Sequence, residues 1–114
     1  MQRGEIYYVN LDPAFGREQS GVRPVLVISA DIVNRKPLVI TVVPGTDGMN
    51  VHQEFQTNVR IPAGESGLVL ETVFLCFQMR ALDPRRFTSR PVGRLSAYRM
   101  SEIEKAIQYT LDLP

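Results

Sequence analysis

The chain has 114 residues, 44% hydrophobic and 22% charged, with a formal net charge of +1 at pH 7. That balance excludes a disordered tail, a coiled coil and a membrane span. It describes one domain over residues 1–114, able to bury roughly two-thirds of the surface that its unfolded chain exposes. One Cys and one His exclude an internal disulfide framework, a Cys-rich zinc site and a His-based metal cluster.

Ile6–Val9 reads as the first strand, entered through Arg3-Gly4 and ended by Asp12-Pro13. No apolar secretory segment precedes it, so a reducing cytoplasm is the expected location. Residues 12–22 form a polar loop with Gly16 and Gly21. Pro24 opens Val25–Ile28, a continuous apolar run rich in β-branched residues, with the pattern of a buried central strand. A Pro at the first strand position costs little, because its missing N–H lies outside the ladder. Asp31–Arg35 predicts one helical turn. Leu38–Val43 is a further buried strand closed by Pro44-Gly45, and residues 45–54 read as a flexible polar loop. Asn58–Ile61 and Gly67–Leu70 are short strands around the Pro62-Ala63-Gly64 turn. Thr72–Leu82 is one long β-prone run, interrupted only by Gln78 and Arg80. Asp83-Pro84 supplies the cap and first position of a helical turn through Arg86. Ser96–Leu113 is the one convincing helix. Met100, Ile103, Ile107 and Leu111 recur there at helical spacing, and Ser96 or Ser101 caps it. Short strands followed by a terminal helix predict a mainly β (α+β) fold, a small barrel or half-barrel with a helix packed on it.

Eleven of the thirteen basic residues are Arg. Arg80, Arg85, Arg86, Arg90, Arg94 and Arg99 fall in one stretch against Asp83 alone. That stretch is either a solvated face or a surface for an anionic partner. No phosphate-binding glycine loop, dinucleotide fingerprint or nucleophile elbow is present. His52 has no second ligand at a metal spacing and reads as a surface residue. What remains is a set of polar residues at strand ends. Arg23 stands at the mouth of the Val25–Ile28 strand, and Thr46 just past another. Each has a bland reading as well: Arg23 paired with a carboxylate, Thr46 capping a turn.

The order and spacing of several short pieces resemble the MazF/PemK family of toxin ribonucleases. The pieces are Arg3-Gly4-Glu5-Ile6-Tyr7, Leu11-Asp12-Pro13, Gly16-x-Glu18-Gln19-x-Gly21-x-Arg23-Pro24 and Val25-Leu26-Val27-Ile28-Ser29. The resemblance continues through Val43-Pro44-Gly45-Thr46, a Gln78-Met79-Arg80-Ala81-Leu82-Asp83 strand and Gly93-x-Leu95-Ser96. It implies a small SH3-like, CcdB-like β-barrel with a C-terminal helix, shared with gyrase-poison toxins. It also implies a homodimer, a MazE-like antitoxin as partner, and cleavage of single-stranded RNA such as mRNA without a metal or other cofactor. The family's catalytic Arg and Thr fall on Arg23 and Thr46. Its Glu-Gln loop falls on Glu18 and Gln19, with Ser20, Gln78 and Arg80 as further RNA-binding candidates.

Metal-free cleavage uses the substrate's own 2′-OH as nucleophile. The enzyme must aid its deprotonation, stabilise a charged phosphorane and protonate the leaving oxygen. Arg23 suits the second task, Thr46 can orient the phosphate, and Glu18 is the base by ordinary acid–base logic if its loop folds over the site. Two departures from the family stand out. Asp47 follows Thr46 where Ser or Thr is common, and Phe77 occupies a position that is often acidic. A non-enzymatic gyrase poison of similar fold is the alternative, but the poison family ends Trp-Gly-Ile and this chain has no Trp. A catalytically silent RNA or antitoxin binder is the third reading.

Overall fold

Seven strands pair antiparallel into one curled sheet in the computed structural model, which describes residues 1–114. In chain order they are β1 (Glu5–Asn10), β2 (Val22–Val27), β3 (Ile40–Asp47), β4 (Asn58–Ile61), β5 (Thr72–Leu75), β6 (Arg80–Leu82) and β7 (Gly93–Arg94). A single helical turn, α1 (Asp31–Asn34), links β2 to β3, and α2 (Ala97–Leu111) ends the chain. The order across the sheet is β4-β5-β3-β2-β1-β7, with β6 also paired to β3. The result is a half-barrel with one long helix.

Alternation along the strands divides the apolar side chains between two cores. Ile6, Leu26, Val43, Ile61 and Phe74 face α2, which inserts Met100, Ile103 and Ala106. Tyr7, Val9, Val25, Val27, Ile40 and Val42 point to the opposite face, where Phe87 meets Tyr7 edge-on at 5.3 Å. β2 is thus covered on both sides, which is why it reads as a continuous apolar run. Burial, then the hydrogen bond and charge of Glu5, push the Tyr7 hydroxyl up to about 12.

Several strand limits differ from the sequence expectation. Pro24 is the third residue of β2, opposite Tyr8. β3 pairs with β2 only at Val25–Val27, so one flank of β2 is open at Pro24 and its missing N–H is tolerated. Pro44-Gly45 does not close β3 but lies inside it. Before Pro44, β3 pairs with β6; from Gly45 on, it pairs with β5. The proline sits at that change of neighbour. A Cβ on Gly45 would lie 2.8 Å from Thr72 Cγ2 and 3.2 Å from both Phe74 Cε1 and Pro24 Cγ, so only glycine lets these strands close at this point. Of residues 45–54, the first three are therefore strand, and Gly48–Asn50 form a 3₁₀ turn.

Gly67–Leu70 is not a strand: residues 65–67 make a 3₁₀ turn, and Val69 and Leu70 are exposed. Thr72–Leu82 is broken in two. Phe74 pairs with Gly45 and Arg80 with Val42, so six steps along this segment match three along β3. The surplus is taken up by a 3₁₀ turn over Cys76–Gln78, which removes Gln78 from the expected strand. The two helical-turn expectations, near Asp31 and over Pro84–Arg86, match the structure. In α2 the cap is Ser96, whose hydroxyl accepts the Arg99 N–H at 3.2 Å. Ala106, not Leu111, completes its buried face.

Candidate active site

The β1–β2 loop turns through left-handed glycines at Gly16 and Gly21. Its two ends are tied where Leu11 N–H donates to Gly21 O (2.9 Å) and Gly21 N–H to Asp12 Oδ1 (3.0 Å). Gln78, displaced from the ladder by the 3₁₀ turn, grips the loop from outside. Its Oε1 accepts the Gln19 N–H at 2.8 Å and its Nε2 donates to Arg17 O at 3.1 Å. Arg86 Nη1 donates to Asn10 O and Asp12 O at 3.0 and 3.1 Å, and Arg80 Nη1 reaches Leu11 O at 3.5 Å.

At the end of this loop, half-buried Arg23 projects from β2. Its Nε donates to Ser20 O at 2.9 Å, which fixes the guanidinium plane. No carboxylate lies within ion-pair reach, so the two terminal nitrogens are unpaired. Thr46, on β3, is buried, and its Oγ1 accepts from Asn50 Nδ2 at 3.0 Å. Its own hydroxyl hydrogen is left for a ligand. Neither bland reading applies: Arg23 has no carboxylate partner, and the cap of the Gly48–Asn50 turn is Asp47, whose Oδ1 accepts the Met49 N–H at 3.0 Å.

Arg23 and Thr46 line one open cleft of about 1110 Å³ with Gln19, Gln78, Phe77 and Asn50. A neighbouring cleft of about 610 Å³ holds Glu18, Arg80 and Phe15. Arg17, Gln19, Phe77 and Gln78 border both, so the two form one continuous groove. Of the sequence candidates, the structure therefore unites Arg23, Thr46, Gln19 and Gln78. Glu18 and Arg80 lie in the adjoining section. The Glu18 carboxylate accepts the Phe15 N–H at 2.7 Å and serves its own loop. Ser20 lines neither section and contributes its carbonyl to Arg23. Sequence reasoning missed Arg17, Asn50, Gln53 and Phe55, and it took His52 for an ordinary surface residue although it borders the cleft. For Asn50, His52, Gln53 and Phe55 the signal was their place just after the strand that carries Thr46; for Arg17 it was its place next to Glu18-Gln19.

The Arg80–Arg99 stretch is not one basic face. Arg99 is bound by Glu65 (2.7 Å) and Glu102 (2.8 Å), and Arg85 by Asp83 (3.0 Å). The Arg99 hydrogen bonds hold the Glu65 carboxyl below the usual carboxylate range. Only Arg80 among the six reaches the groove. Cys76 is fully buried beneath Phe77's turn, and burial pushes its thiol up to about 12, which removes it as a nucleophile at neutral pH. The His, Cys, Asp and Glu side chains nowhere gather three together as metal ligands. No helix is long and apolar enough to cross a membrane.

The fold recurs in known proteins. Among solved structures, MazF from Deinococcus radiodurans superposes with a TM-score of 0.82 at 25% identity, over 99% of this chain and 97% of that one. An endoribonuclease in complex with its cognate antitoxin, from a mycobacterial species, has the same fold, with a TM-score of 0.80 at 20% identity over 100% of this chain and 97% of that one. In sequence, the chain is 36% identical to endoribonuclease MazF9 of Mycobacterium tuberculosis, covering 99% of this chain and 98% of the relative. It is also 36% identical to endoribonuclease EndoA of Bacillus subtilis, covering 99% and 96%. The model of the PemK-like, MazF-like toxins of type II toxin–antitoxin systems matches residues 2–111, and the chain belongs to that family.

Proposed function

We propose that the chain is a sequence-selective endoribonuclease toxin that cleaves single-stranded RNA by attack of the substrate 2′-OH. The observation that carries this reading is the pair in the larger cleft: an Arg23 fork held at Nε with both terminal nitrogens unpaired, beside a Thr46 hydroxyl oriented by Asn50. The fork matches two non-bridging oxygens of one phosphodiester, and the threonine O–H can reach the same group. As the 2′-oxygen bonds to phosphorus, charge builds on those oxygens, and donors already aimed at them stabilise that charge without reorganising. The P–O5′ bond then breaks and the departing O5′ takes up a proton in place of the one lost from the 2′-OH, leaving a 2′,3′-cyclic phosphate and a 5′-hydroxyl. In the present arrangement the Glu18 carboxylate would have to leave the Phe15 N–H and cross the groove to act as base. Gln19, Gln78 and Arg80 line the path of the strand on either side.

We read the partner as a MazE-like antitoxin whose acidic segment covers the Arg23 groove, because the family pairs each toxin with an antitoxin. A homodimer is supported by the exposed apolar side chains Ile32, Val33, Leu38 and Val39, which lie together in sequence on α1 and the approach to β3. The cytoplasm, where RNA is the substrate, is the location that fits.

The test is incubation of the purified protein with a long RNA in excess EDTA, followed by sequencing of the 5′ ends. Defined cuts with 5′-hydroxyl ends are expected, and Thr46→Ala should slow them about 10²-fold. A strict Mg²⁺ requirement would sink the mechanism. Asp47→Ser should leave RNA affinity unchanged at low and at physiological salt. The carboxylate is occupied at Met49 N and borders neither cleft, and Ser retains an oxygen for the same cap. Tighter binding of Asp47→Ser at low salt would place that charge against the RNA.

A further inference from the structure

Three phenyl rings are exposed along the groove, an unfavourable place for apolar surface unless something covers it. Phe15 is 85% exposed in the smaller section, Phe55 is 52% exposed in the larger one, and Phe77, 50% exposed, stands where the two meet. Phe77 is out of the sheet because three surplus residues form a 3₁₀ turn between β5 and β6. Its neighbours fix that turn: Cys76 is fully buried, and Gln78 is bonded to the β1–β2 loop at both ends of its amide. The ring is therefore presented by a braced backbone. Arg17, Arg23 and Arg80 lie among the rings, and none of them is in an ion pair. Gln19 borders both sections together with Phe77.

We propose that Phe77 is a stacking platform for an unpaired RNA base next to the phosphate held by Arg23 and Thr46, with Phe15 and Phe55 receiving bases further along the strand. Aromatic faces interleaved with unpaired cations are the arrangement that binds single strands. The cations follow the backbone, and each ring takes a base whatever its identity. A protein segment would use the apolar area of the rings, whereas a base uses the π face, and that difference decides the test. The inference rests on the endoribonuclease reading, and the experiment separates the two.

Binding is measured on the Thr46→Ala protein, in which cleavage is slowed enough for binding to be read first, using a labelled single-stranded RNA oligomer and fluorescence anisotropy at two salt concentrations. Adding Phe77→Ala should weaken binding roughly five- to 150-fold, the range of base stacking on one aromatic side chain. The factor should be the same at both salts, because stacking is not screened. Phe77→Leu, which keeps apolar area but loses the π face, should weaken binding nearly as much. Phe77→Trp should retain affinity. The chain has no other Trp, so quenching of the introduced indole on RNA addition reports a base against residue 77 directly. Far-UV circular dichroism should show all three variants folded, since the ring is exposed. Full RNA affinity in both Phe77→Ala and Phe77→Leu, or unquenched indole emission at saturating RNA, overturns the stacking site and leaves the nuclease reading intact. No RNA binding by any variant, by the Thr46→Ala parent or by the unsubstituted protein overturns both.

Discussion

Arg23→Ala should reduce the rate of RNA cleavage about 10²- to 10³-fold, the usual effect of removing one donor aimed at developing charge. The loss is catalytic rather than structural. Arg23 is half-buried, belongs to neither apolar core, and its side chain contributes one hydrogen bond to the fold, Nε to Ser20 O. Removing that bond costs about 1 kcal/mol, so the urea midpoint should move little. Arg23→Lys should recover only a small part of the rate. An ammonium restores the charge but cannot hold Ser20 O with one nitrogen while presenting two others to a phosphate. Single-turnover rates at saturating protein, read beside the unfolding curves, separate the two effects. Turnover by folded Arg23→Ala within threefold of the parent would remove Arg23 from the mechanism.

Gly93→Ala should have the largest effect on stability. Gly93 pairs with Ile6 at the β1–β7 edge, and its φ is not in the left-handed region, so backbone conformation is not the difficulty. A Cβ there would stand 1.6 Å from Ser66 O, 2.8 Å from Ser66 C and 3.2 Å from Gly67 Cα. In return, a Cβ on Gly67 would stand 2.5 Å from Val92 O. Two stretches of main chain nest against each other, and neither has a flexible side chain to yield. Relief requires β7 to separate from the 65–67 turn, which carries Glu65 and through it Arg99 of α2. A loss of about 3 kcal/mol or more is expected, lowering Tm by roughly 10–20 °C. Gly64→Ala is the comparison. Its added methyl meets nothing within 4 Å, and only its φ of +82° is unfavourable, at about 1 kcal/mol. Equal melting of the two variants would mean that the 65–67 turn does not rest on β7.

Much of the fold, and the placing of half of the candidate site residues in one cleft, were legible in the chain itself. β1, β2 and α2 follow from patterns that need no partner to be read: a short strand-like run between turn residues, an unbroken apolar run rich in Val and Ile, and apolar residues at helical spacing after a serine cap. Gly-rich turns around Glu18-Gln19 and the x-Arg-Pro and Gly-Thr pieces placed Arg23 and Thr46 at strand mouths, and the cleft does hold both. These features are local, set by a few neighbouring residues acting on one another. Tertiary structure decided everything that depends on which strand lies alongside. Pro44-Gly45 reads as a terminator, yet β3 runs through it because its partner changes there from β6 to β5. Thr72–Leu82 reads as one strand, yet β3 offers too few residues to match it, and the excess becomes the turn that exposes Phe77 and sends Gln78 to the loop. The basic stretch reads as either a solvated face or a surface for an anionic partner; Glu65, Glu102 and Asp83 occupy two of its arginines, and only Arg80 reaches the groove. Asp47 follows Thr46 by one residue, and on an extended strand that single step turns its carboxylate away from the cleft to cap the next turn. Residue type and spacing determined which side chains belonged near the site; strand partners and the pleat determined which of them face it.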